Sequence, residues 1–192
     1  EREVMDGAWR QHVGRQLSQR TVGVIGCGHV GKDLAVLLGA FGCKVLAHDI
    51  LDFPDFYAEH DIESSGLEDL LKRSDVVTLH LPIDDSTRNI LSAERLALMK
   101  PDAILINAAR GGLIDEGTLK VALKENRLGG AALDVFVMEP PEDRELLELP
   151  NFIVTPHLGG SAEEAILAMG RAAIRCLDEN RLPEKGVFPK GY

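Results

Sequence analysis

The sequence predicts an α/β protein with a doubly wound parallel sheet. Short apolar runs alternate with segments of helical apolar spacing at least four times, and a glycine-rich turn joins the first run to the first helix. Alternation of this kind implies right-handed crossovers between parallel strands, with helices on both faces of the sheet. Apolar residues make up 45 % of the 192 residues and aromatic residues only 5 %. A sheet buried on both faces has such an aliphatic core.

Each element follows from its local pattern. Strands are predicted where a short apolar run stops at a turn-forming or polar residue, and helices where apolar residues recur three and four positions apart. The predicted strands are residues 21–25, 45–47, 76–81, 103–106, 131–135 and 152–155. The predicted helices are residues 32–42, 66–74, 92–99, 115–125 and about 161–180. Residues 139–150, rich in proline and acidic side chains, are predicted to form the main loop.

Charge and composition exclude several kinds of partner. A net charge of −10 without any Lys/Arg run argues against nucleic acid and anionic membranes. No apolar stretch approaches the roughly 20 residues of a spanning helix, and no signal peptide is evident, so we expect a cytoplasmic protein. Cys27, Cys43 and Cys176 share no metal-binding spacing. We therefore expect reduced, buried thiols and no metal site.

The glycine-rich turn predicts a dinucleotide site of the Rossmann type. Gly26, Gly28 and Gly31 form a G-x-G-x-x-G pattern directly after a strand and at the start of a helix. The first glycine permits the tight turn, the second lets the backbone approach a pyrophosphate, and the third lets helix and strand pack closely. The pyrophosphate then lies on the helix N-terminus. His29 and Val30 lie inside the turn and belong to the predicted site, His29 through its backbone.

Asp49 indicates which dinucleotide is bound. It closes the second predicted strand at about 20 residues from the turn, where an acidic residue bonds the ribose hydroxyls. A carboxylate there repels the 2′-phosphate of NADP, and no arginine follows to receive that phosphate. The prediction is NAD; the alternative for Asp49 is a surface carboxylate at a strand end.

Three further residues predict chemistry on a small carboxylate. Arg110 follows the fourth predicted strand and offers a planar fork for a carboxylate. His157 follows the last predicted strand and titrates in the range needed to protonate a developing alkoxide. Glu139, bonded to the other ring nitrogen, would fix the tautomer and favour the charged ring. The alternatives are a surface arginine and a structural histidine. His80, inside the third predicted strand, is expected to be a core or cofactor-side residue.

These motifs, in this order, resemble the D-isomer-specific 2-hydroxyacid dehydrogenases, the family of D-3-phosphoglycerate dehydrogenase and glyoxylate/hydroxypyruvate reductase. The likeness covers nearly the whole chain. It rests on the glycine turn, Asp49, Leu79-His80-Leu81-Pro82 with Thr87, residues 107–111, Asp134 with Glu139-Pro140, and Thr155-Pro156-His157 with Gly159-Gly160. The formate dehydrogenase branch is disfavoured, because it usually carries glutamine where this chain has Glu139.

The resemblance implies an NAD-dependent oxidoreductase that interconverts a D-2-hydroxy acid and a 2-keto acid. Arg110 would hold the substrate carboxylate and keto oxygen, His157 would be the acid/base, and Glu139 its partner. The residues expected at NAD beyond the glycine turn and Asp49 are Leu81, Pro82, Thr87, Ala108, Ala109, Asp134 and Gly160. The family usually pairs through this domain, so a homodimer is also expected.

The resemblance also implies a domain organisation. Residues 21–160 would be the NAD-binding domain. Residues 1–20, a lead-in helix or linker, and residues 161–192, a last helix and return segment, would reach into a substrate domain formed mostly by upstream residues. The sequence is therefore expected to be a nucleotide-binding domain cut from a longer enzyme.

Two other functions remain open at this point. One is an NAD(H)-sensing interaction protein similar to the C-terminal-binding-protein corepressors, which share the fold and the three side-chain types. Those proteins are aromatic after the histidine, whereas this chain continues Leu158-Gly159-Gly160-Ser161. The other is a pseudoenzyme that binds the cofactor without turnover.

Overall fold

Seven parallel strands form a single sheet in the computed structural model, which describes residues 2–11 and 13–178. The strands are β1 (Thr21–Ile25), β2 (Lys44–His48), β3 (Ile62–Ser64), β4 (Val76–Leu79), β5 (Ile104–Asn107), β6 (Gly130–Leu133) and β7 (Phe152–Val154). The helices are α1 (Arg2–Met5), α2 (His29–Ala40), α3 (Pro54–Glu59), α4 (Leu67–Arg73), α5 (Ala93–Leu96), α6 (Glu116–Lys124), α7 (Arg144–Leu147) and α8 (Glu163–Asp178). The predicted doubly wound α/β fold is confirmed.

The strand order creates a crevice in the middle of the sheet. The order is β3-β2-β1-β4-β5-β6-β7, and each neighbouring pair is parallel. The chain winds outward from β1 in one direction and then returns to β4 to wind in the other. Ligands of open α/β sheets bind at the carboxyl ends of the strands where the order reverses. The residues that follow β1 and β4 therefore flank the expected binding crevice.

Aliphatic side chains fill two core clusters on the sheet. The larger one packs α4 and α6 against the strands, with Leu70, Leu105 and Leu123 at most 1 % exposed. The smaller one joins the β1–β2 side of the sheet to α2 and α3, through residues such as Val24 and Tyr57. This burial holds the strand ends, and the loops that leave them, in fixed positions.

Several short elements have no counterpart in the sequence prediction. Periodicity gives no signal for α3 and β3, because six and three residues contain too few apolar positions to show a period. Helix α1 lies within residues 1–20, which were expected to form a lead-in helix or linker. The predicted loop 139–150 was also wrong in part, since it contains α7. Asp143 begins that helix by accepting a hydrogen bond from the N–H of Leu146 at 3.1 Å, which is the usual role of an aspartate N-cap.

Two boundaries differ from the prediction near the crevice. Helix α2 begins at His29 instead of residue 32, so the second half of the glycine motif is helical. Strand β4 ends at Leu79, and His80 therefore lies just beyond the strand instead of inside it. The N–H of His80 still donates to the carbonyl of Ile25 at 2.7 Å, so the chain stays beside β1 for one more residue.

The ends of the chain carry apolar side chains that face outward. Trp9 is 83 % exposed, and Ile166, Met169 and Leu177 of α8 are each more than half exposed. The end of the predicted last helix and the return segment, residues 179–192, lie outside the described residues, as does His12. All seven strands fall within residues 21–160, while the division into domains stays a prediction.

The three cysteines are free thiols, but only Cys27 is buried. The prediction of buried thiols was wrong for Cys43, which is partly exposed, and for Cys176, which is exposed. Cys43 follows α2 and packs against the smaller cluster from outside it, whereas Cys176 lies on the exposed surface of α8. Over residues 2–11 and 13–178, no helix combines the length and apolar character needed to span a bilayer.

Candidate active site

The glycine turn after β1 is packed so tightly that two of its positions accept only glycine. Gly26 has φ +95°, and a Cβ there would lie 2.6 Å from the carbonyl oxygen of His80. A Cβ on Gly31 would lie 2.0 Å from the carbonyl oxygen of Gly26. Both distances are far below van der Waals contact. The first turn of α2 therefore rests directly on the loop that leaves β1.

The start of α2 suits an anion. Gly28 is the N-cap and has no side chain to occupy the helix end, and its carbonyl accepts the N–H of Lys32 at 2.9 Å. The first N–H groups of a helix have no acceptor within it and carry a partial positive charge. His29 and Val30 begin the helix with exposed side chains, 65 % for Val30. The predicted pyrophosphate position is thus open and lies at the crevice.

Asp49 is tied to the glycine turn. Its Oδ2 accepts the N–H of Cys27 at 2.6 Å, and its Oδ1 accepts the N–H of Leu51 at 2.9 Å. These bonds aim the carboxylate across the end of β2 toward the turn. The ammonium of Lys32 lies 3.5 Å from the centre of the Phe53 ring, so this cation packs on an aromatic face beside the site.

Leu81, Pro82 and Thr87 form the wall opposite the glycine turn, in the loop after β4. The Thr87 hydroxyl donates to the carbonyl of Pro82 at 2.8 Å and accepts the N–H of Asp84 at 2.8 Å. A Cβ on Gly26 would lie 2.9 Å from Cδ2 of Leu81. The two walls of the crevice therefore meet at the switch in strand order.

His80 is poorly suited to acid/base work. Its Nε2 lies 3.0 Å from the hydroxyl of Thr78, and burial lowers the pKa of the imidazole. A partly buried ring whose pKa is lowered stays neutral at physiological pH. The geometry therefore places His80 on the crevice wall as a packing residue.

Asn107 organises the turn that carries Arg110. It is buried at the end of β5, where its side-chain nitrogen donates to the carbonyl of Arg110 at 2.9 Å and its oxygen accepts the N–H of Ala109 at 3.0 Å. The Arg110 guanidinium is exposed and donates to the carbonyl of Ala109 at 2.6 Å. Asn107 was not among the predicted site residues. Its signal in the sequence is an amide side chain at a strand end directly before the Ala108-Ala109-Arg110 turn.

The backbone after Arg110 touches the backbone before Glu139. A Cβ on Gly111 would lie 1.9 Å from the carbonyl oxygen of Phe136. No other residue fits there, so the arginine turn and the loop after β6 are locked together.

Asp134 holds the loop that contains His157. The carboxylate is buried and accepts hydrogen bonds from the Thr155 hydroxyl at 2.5 Å and from the N–H groups of Leu158 and Gly159 at 2.7 and 2.8 Å. Burial by itself raises the pKa of Asp134, but the three hydrogen bonds and the imidazole of His157 leave it below its usual range. The residue therefore stays ionised. This loop-holding contact, and the part of Thr155 in it, were not predicted.

Glu139 and His157 form a hydrogen-bonded pair. Oε2 of Glu139 lies 2.9 Å from Nδ1 of His157, and Oε1 accepts the N–H of Phe136 at 3.0 Å. These two contacts, the imidazole first, lower the pKa of the Glu139 carboxyl. His157 has φ +54°, a left-handed conformation that is uncommon for non-glycine residues. Nε2 is the ring nitrogen that remains for a substrate.

Two cavities lie along these residues. One, of about 320 Å³, is lined by Ala108, Asp134, Thr155 and Gly159 together with apolar side chains of β5 to β7. The other, of about 220 Å³, is lined by Glu139, Pro140, Pro156 and His157, with Asp134 shared between the two. The predicted residues after β5, β6 and β7 thus converge on one edge of the sheet. Gly160 is exposed, and a Cβ there would meet nothing within 4 Å, so packing does not explain this glycine.

The comparisons with known proteins agree with this geometry. A family model described as "D-isomer specific 2-hydroxyacid dehydrogenase, NAD binding domain" matches residues 1–159. D-3-phosphoglycerate dehydrogenase of Methanocaldococcus jannaschii is 44 % identical over 172 residues, covering 85 % of this chain and 32 % of that protein. Glycerate dehydrogenase of Methylorubrum extorquens is 47 % identical over 152 residues, covering 76 % and 45 %.

The fold is shared with a solved dehydrogenase. D-lactate dehydrogenase with NAD⁺ from Lactobacillus jensenii has a TM-score of 0.81 and 30 % identity, covering 91 % of this chain and 57 % of that one. The chain spans about a third to just under half of the length of the two curated relatives. The match over residues 1–159 shows that the chain belongs to the D-isomer-specific 2-hydroxyacid dehydrogenase family, as its NAD-binding domain.

Proposed function

We propose that the protein transfers a hydride between NAD(H) and a D-2-hydroxy acid/2-keto acid pair. The observation that carries this proposal is the Glu139–His157 pair, joined at 2.9 Å and held beside the Arg110 turn at the carboxyl edge of the sheet. A protonatable ring with an ionised partner, next to a cation able to bind a carboxylate, is the arrangement that reduction of a 2-keto acid requires.

The residues of the crevice fit NAD. The two positions that only glycine can occupy, Gly26 and Gly31, leave the start of α2 open to a pyrophosphate. Asp49 presents a carboxylate at the end of β2 for the ribose hydroxyls. Ala108, Ala109 and Asp134 would face the nicotinamide end of the bound cofactor. When bound, NAD supplies the hydride acceptor or donor.

The protein side chains supply binding, orientation and a proton. Arg110 binds the carboxylate and keto oxygen of the substrate and so orients the keto carbon. In the reductive direction Nε2 of His157 gives its proton to the oxygen that becomes the alcohol, and in the oxidative direction it takes that proton back. Glu139, ionised because its pKa is lowered, stabilises the protonated ring and fixes its orientation. Asp134 keeps the His157 loop in place.

An enzyme is favoured over an interaction protein. The curated relatives described above are named as dehydrogenases. The Glu139–His157 contact is more than cofactor binding alone requires, and the segment Leu158-Gly159-Gly160-Ser161 lacks the aromatic residues of the corepressors. A corepressor-like sensor or a pseudoenzyme would bind NADH without turnover.

The test is turnover by the full-length gene product. We expect NADH oxidation with glyoxylate, hydroxypyruvate or a related 2-keto acid, and a loss of at least about a hundredfold in His157→Asn. Arg110→Gln is expected to raise the KM for the keto acid more than it changes the Kd for NADH. NADH binding without turnover of any such acid would contradict the proposal and favour the sensor or the pseudoenzyme.

The homodimer and the cytoplasmic location stay predictions. We propose that two copies pair through this domain, whose helix α2 exposes Val36, Leu37 and Phe41. Sedimentation equilibrium of the full-length gene product measures the oligomeric state, and a monomer at all concentrations would exclude pairing.

A further inference from the structure

Glu116 is a carboxylate with an unusual position. It is the first residue of α6, but its side chain is half-buried, and its Oε1 accepts the N–H of Val137 at 2.8 Å. The helix is already capped, because Asp115 accepts the N–H of Thr118 at 2.9 Å. Burial raises the pKa of the Glu116 carboxyl, with Asp115 and Asp143 as the nearby charges that add to this. Burying part of a carboxylate costs free energy, so we expect the contact between Glu116 and Val137 to have a role in the site.

That contact fixes the stretch that follows Phe136, whose own side chain is buried in the larger core cluster. Val137 and Met138 are 69 % and 60 % exposed. Among the described residues, the hydrogen bonds found for this stretch run from the N–H of Phe136 to Glu139 and from the N–H of Val137 to Glu116. The Phe136 carbonyl packs against Gly111. Glu116 is therefore a polar clamp on the backbone that leads to Glu139.

We propose that Glu116 is a positioning residue for the acid/base pair, holding residues 136–139 so that Glu139 meets Nδ1 of His157. This inference rests on the proposed function. Glu116 acts through the backbone of Val137, two residues from Glu139, and need not touch the substrate or the cofactor. Without Glu116 the segment keeps the Gly111 contact and the Phe136–Glu139 hydrogen bond, but it loses the hydrogen bond to the backbone of Val137.

The loss of reductive rate in a Glu116 variant is expected to depend on pH. When Glu139 is misaligned, the imidazole loses part of the support for its charged form. The charged groups that face His157 are Glu139 and Asp134, and only Glu139 depends on residues 136–139. Reduction consumes a proton, and an ionised partner favours the charged form of an imidazole, so loss of that partner is expected to matter most where protons are scarce. A variant of Glu116 therefore loses most reductive rate at alkaline pH.

The experiment compares four variants of the full-length gene product. The assay is NADH-dependent reduction of hydroxypyruvate from acidic to alkaline pH, together with the Kd for NADH and amide hydrogen exchange at residues 136–137. Glu116→Ala is expected to lower kcat about tenfold at alkaline pH, less at acidic pH, with faster exchange at Val137 and an unchanged Kd. Glu116→Gln keeps an oxygen for the Val137 N–H and is expected to restore most of the rate.

Glu116→Asp keeps the charge at the helix start but is one methylene too short, so it should behave like Glu116→Ala and replaces it if the alanine variant fails to fold. The matched control is Glu125→Ala at the other end of α6, where an exposed carboxylate pairs only with the exposed Arg127. The inference alone would be overturned by a loss of kcat that is equal at every pH. It would also be overturned if Glu116→Asp had the wild-type pH–rate profile, or if Glu116→Gln were as slow as Glu116→Ala. No turnover by the wild type would overturn the proposed function as well.

Discussion

The carboxylate of Asp134 accepts hydrogen bonds from Thr155, Leu158 and Gly159, on both sides of His157. The histidine is thus held by its neighbours in the chain, while its ring is oriented by Glu139 from another loop. Two ionised carboxylates therefore position His157. Asp134 holds the residues on either side of it, and Glu139 orients its ring. Each side chain has a distinct and separable effect.

Glu139→Gln in the full-length gene product is expected to lower keto-acid reduction most at higher pH. The pKa of Glu139 is lowered, so the wild-type carboxylate is ionised throughout the neutral range and supports the protonated ring. Glutamine carries no charge and cannot give this electrostatic support, so the reductive rate is expected to fall most at higher pH, where protons are scarce. The measurement is the pH–rate profile with a saturating keto acid. An unchanged profile would exclude the pairing.

Asp49→Ala is expected to narrow the preference for NADH over NADPH. The carboxylate disfavours a 2′-phosphate, and Lys32 packs over Phe53 instead of extending toward the position of that phosphate. Removing Asp49 should therefore weaken NADH binding and relieve repulsion of NADPH, without creating a preference for NADPH. Fluorescence titration of this chain with both dinucleotides measures the ratio. If the ratio stays constant, Asp49 is not the selector.

The sequence predicted the two residues of the proposed acid/base pair, but not the hydrogen bonds that hold their loops in place. Glu139 and His157 are chemically distinctive residues at strand ends, so their types and order predicted a shared site. Asn107 bonds the turn that directly follows it, and an asparagine at a strand end is too common to single out. Asp134 bonds Thr155 across two loops, 21 residues apart in the chain. No local pattern reveals a bond that depends on where two loops meet.

At the scale of elements, the decisive contact is between α2 and the loop after β1. Long elements with clear periodicity, such as α2, α6 and β1, were predicted to within a few residues. The edge strand β3 and helix α3 were missed, because short elements are fixed by tertiary pairing instead of by local pattern. Strand β3 forms its register with β2 alone, so nothing within residues 62–64 identifies it.

Gly31→Ala and Gly39→Ala form a matched pair within α2. A Cβ at residue 31 would lie 2.0 Å from the Gly26 carbonyl, whereas at residue 39 it meets nothing within 4 Å. We expect Gly31→Ala to cost about 3 kcal/mol of unfolding free energy and to abolish NADH binding. Gly39→Ala should gain about 0.5–1 kcal/mol from helix propensity with unchanged binding. Urea unfolding and NADH titration measure both effects, and wild-type affinity in Gly31→Ala would contradict the close packing.

At the scale of the whole molecule, many of the acidic side chains have specific hydrogen-bond or ion-pair partners. The net charge is −10, but many carboxylates are paired with cations or backbone N–H groups. The carboxyls with a lowered pKa are Glu63, Asp69, Asp75, Asp84, Asp102, Asp134, Glu139, Asp143 and Glu145. Glu116 alone among the described carboxyls with a resolved shift has a raised pKa.

We expect the free energy of unfolding to decrease as the pH falls below about 4. A carboxyl whose pKa is lower in the folded state stabilises the protein above its unfolded pKa, and this stabilisation is lost as the pH falls through the folded value. For Glu63, which pairs with Arg73 and Lys44, that value is about 2. Glu63→Gln should remove part of the acid dependence. Urea unfolding at a series of acidic pH values measures it, and a pH-independent midpoint would contradict the expectation.

The contact between Gly111 and the carbonyl of Phe136 fixes the distance between two backbone segments of the proposed site. One segment carries the group proposed to bind a carboxylate, and the other leads to the carboxylate that orients the acid, so their separation is set by backbone and not by flexible side chains. A fixed distance of this kind would select substrates by the number of carbons between the carboxylate and the keto group. If the proposed function holds, we expect a 2-keto acid to be reduced faster than an acid whose keto group is one carbon further from its carboxylate, whereas the chain beyond the keto carbon can vary.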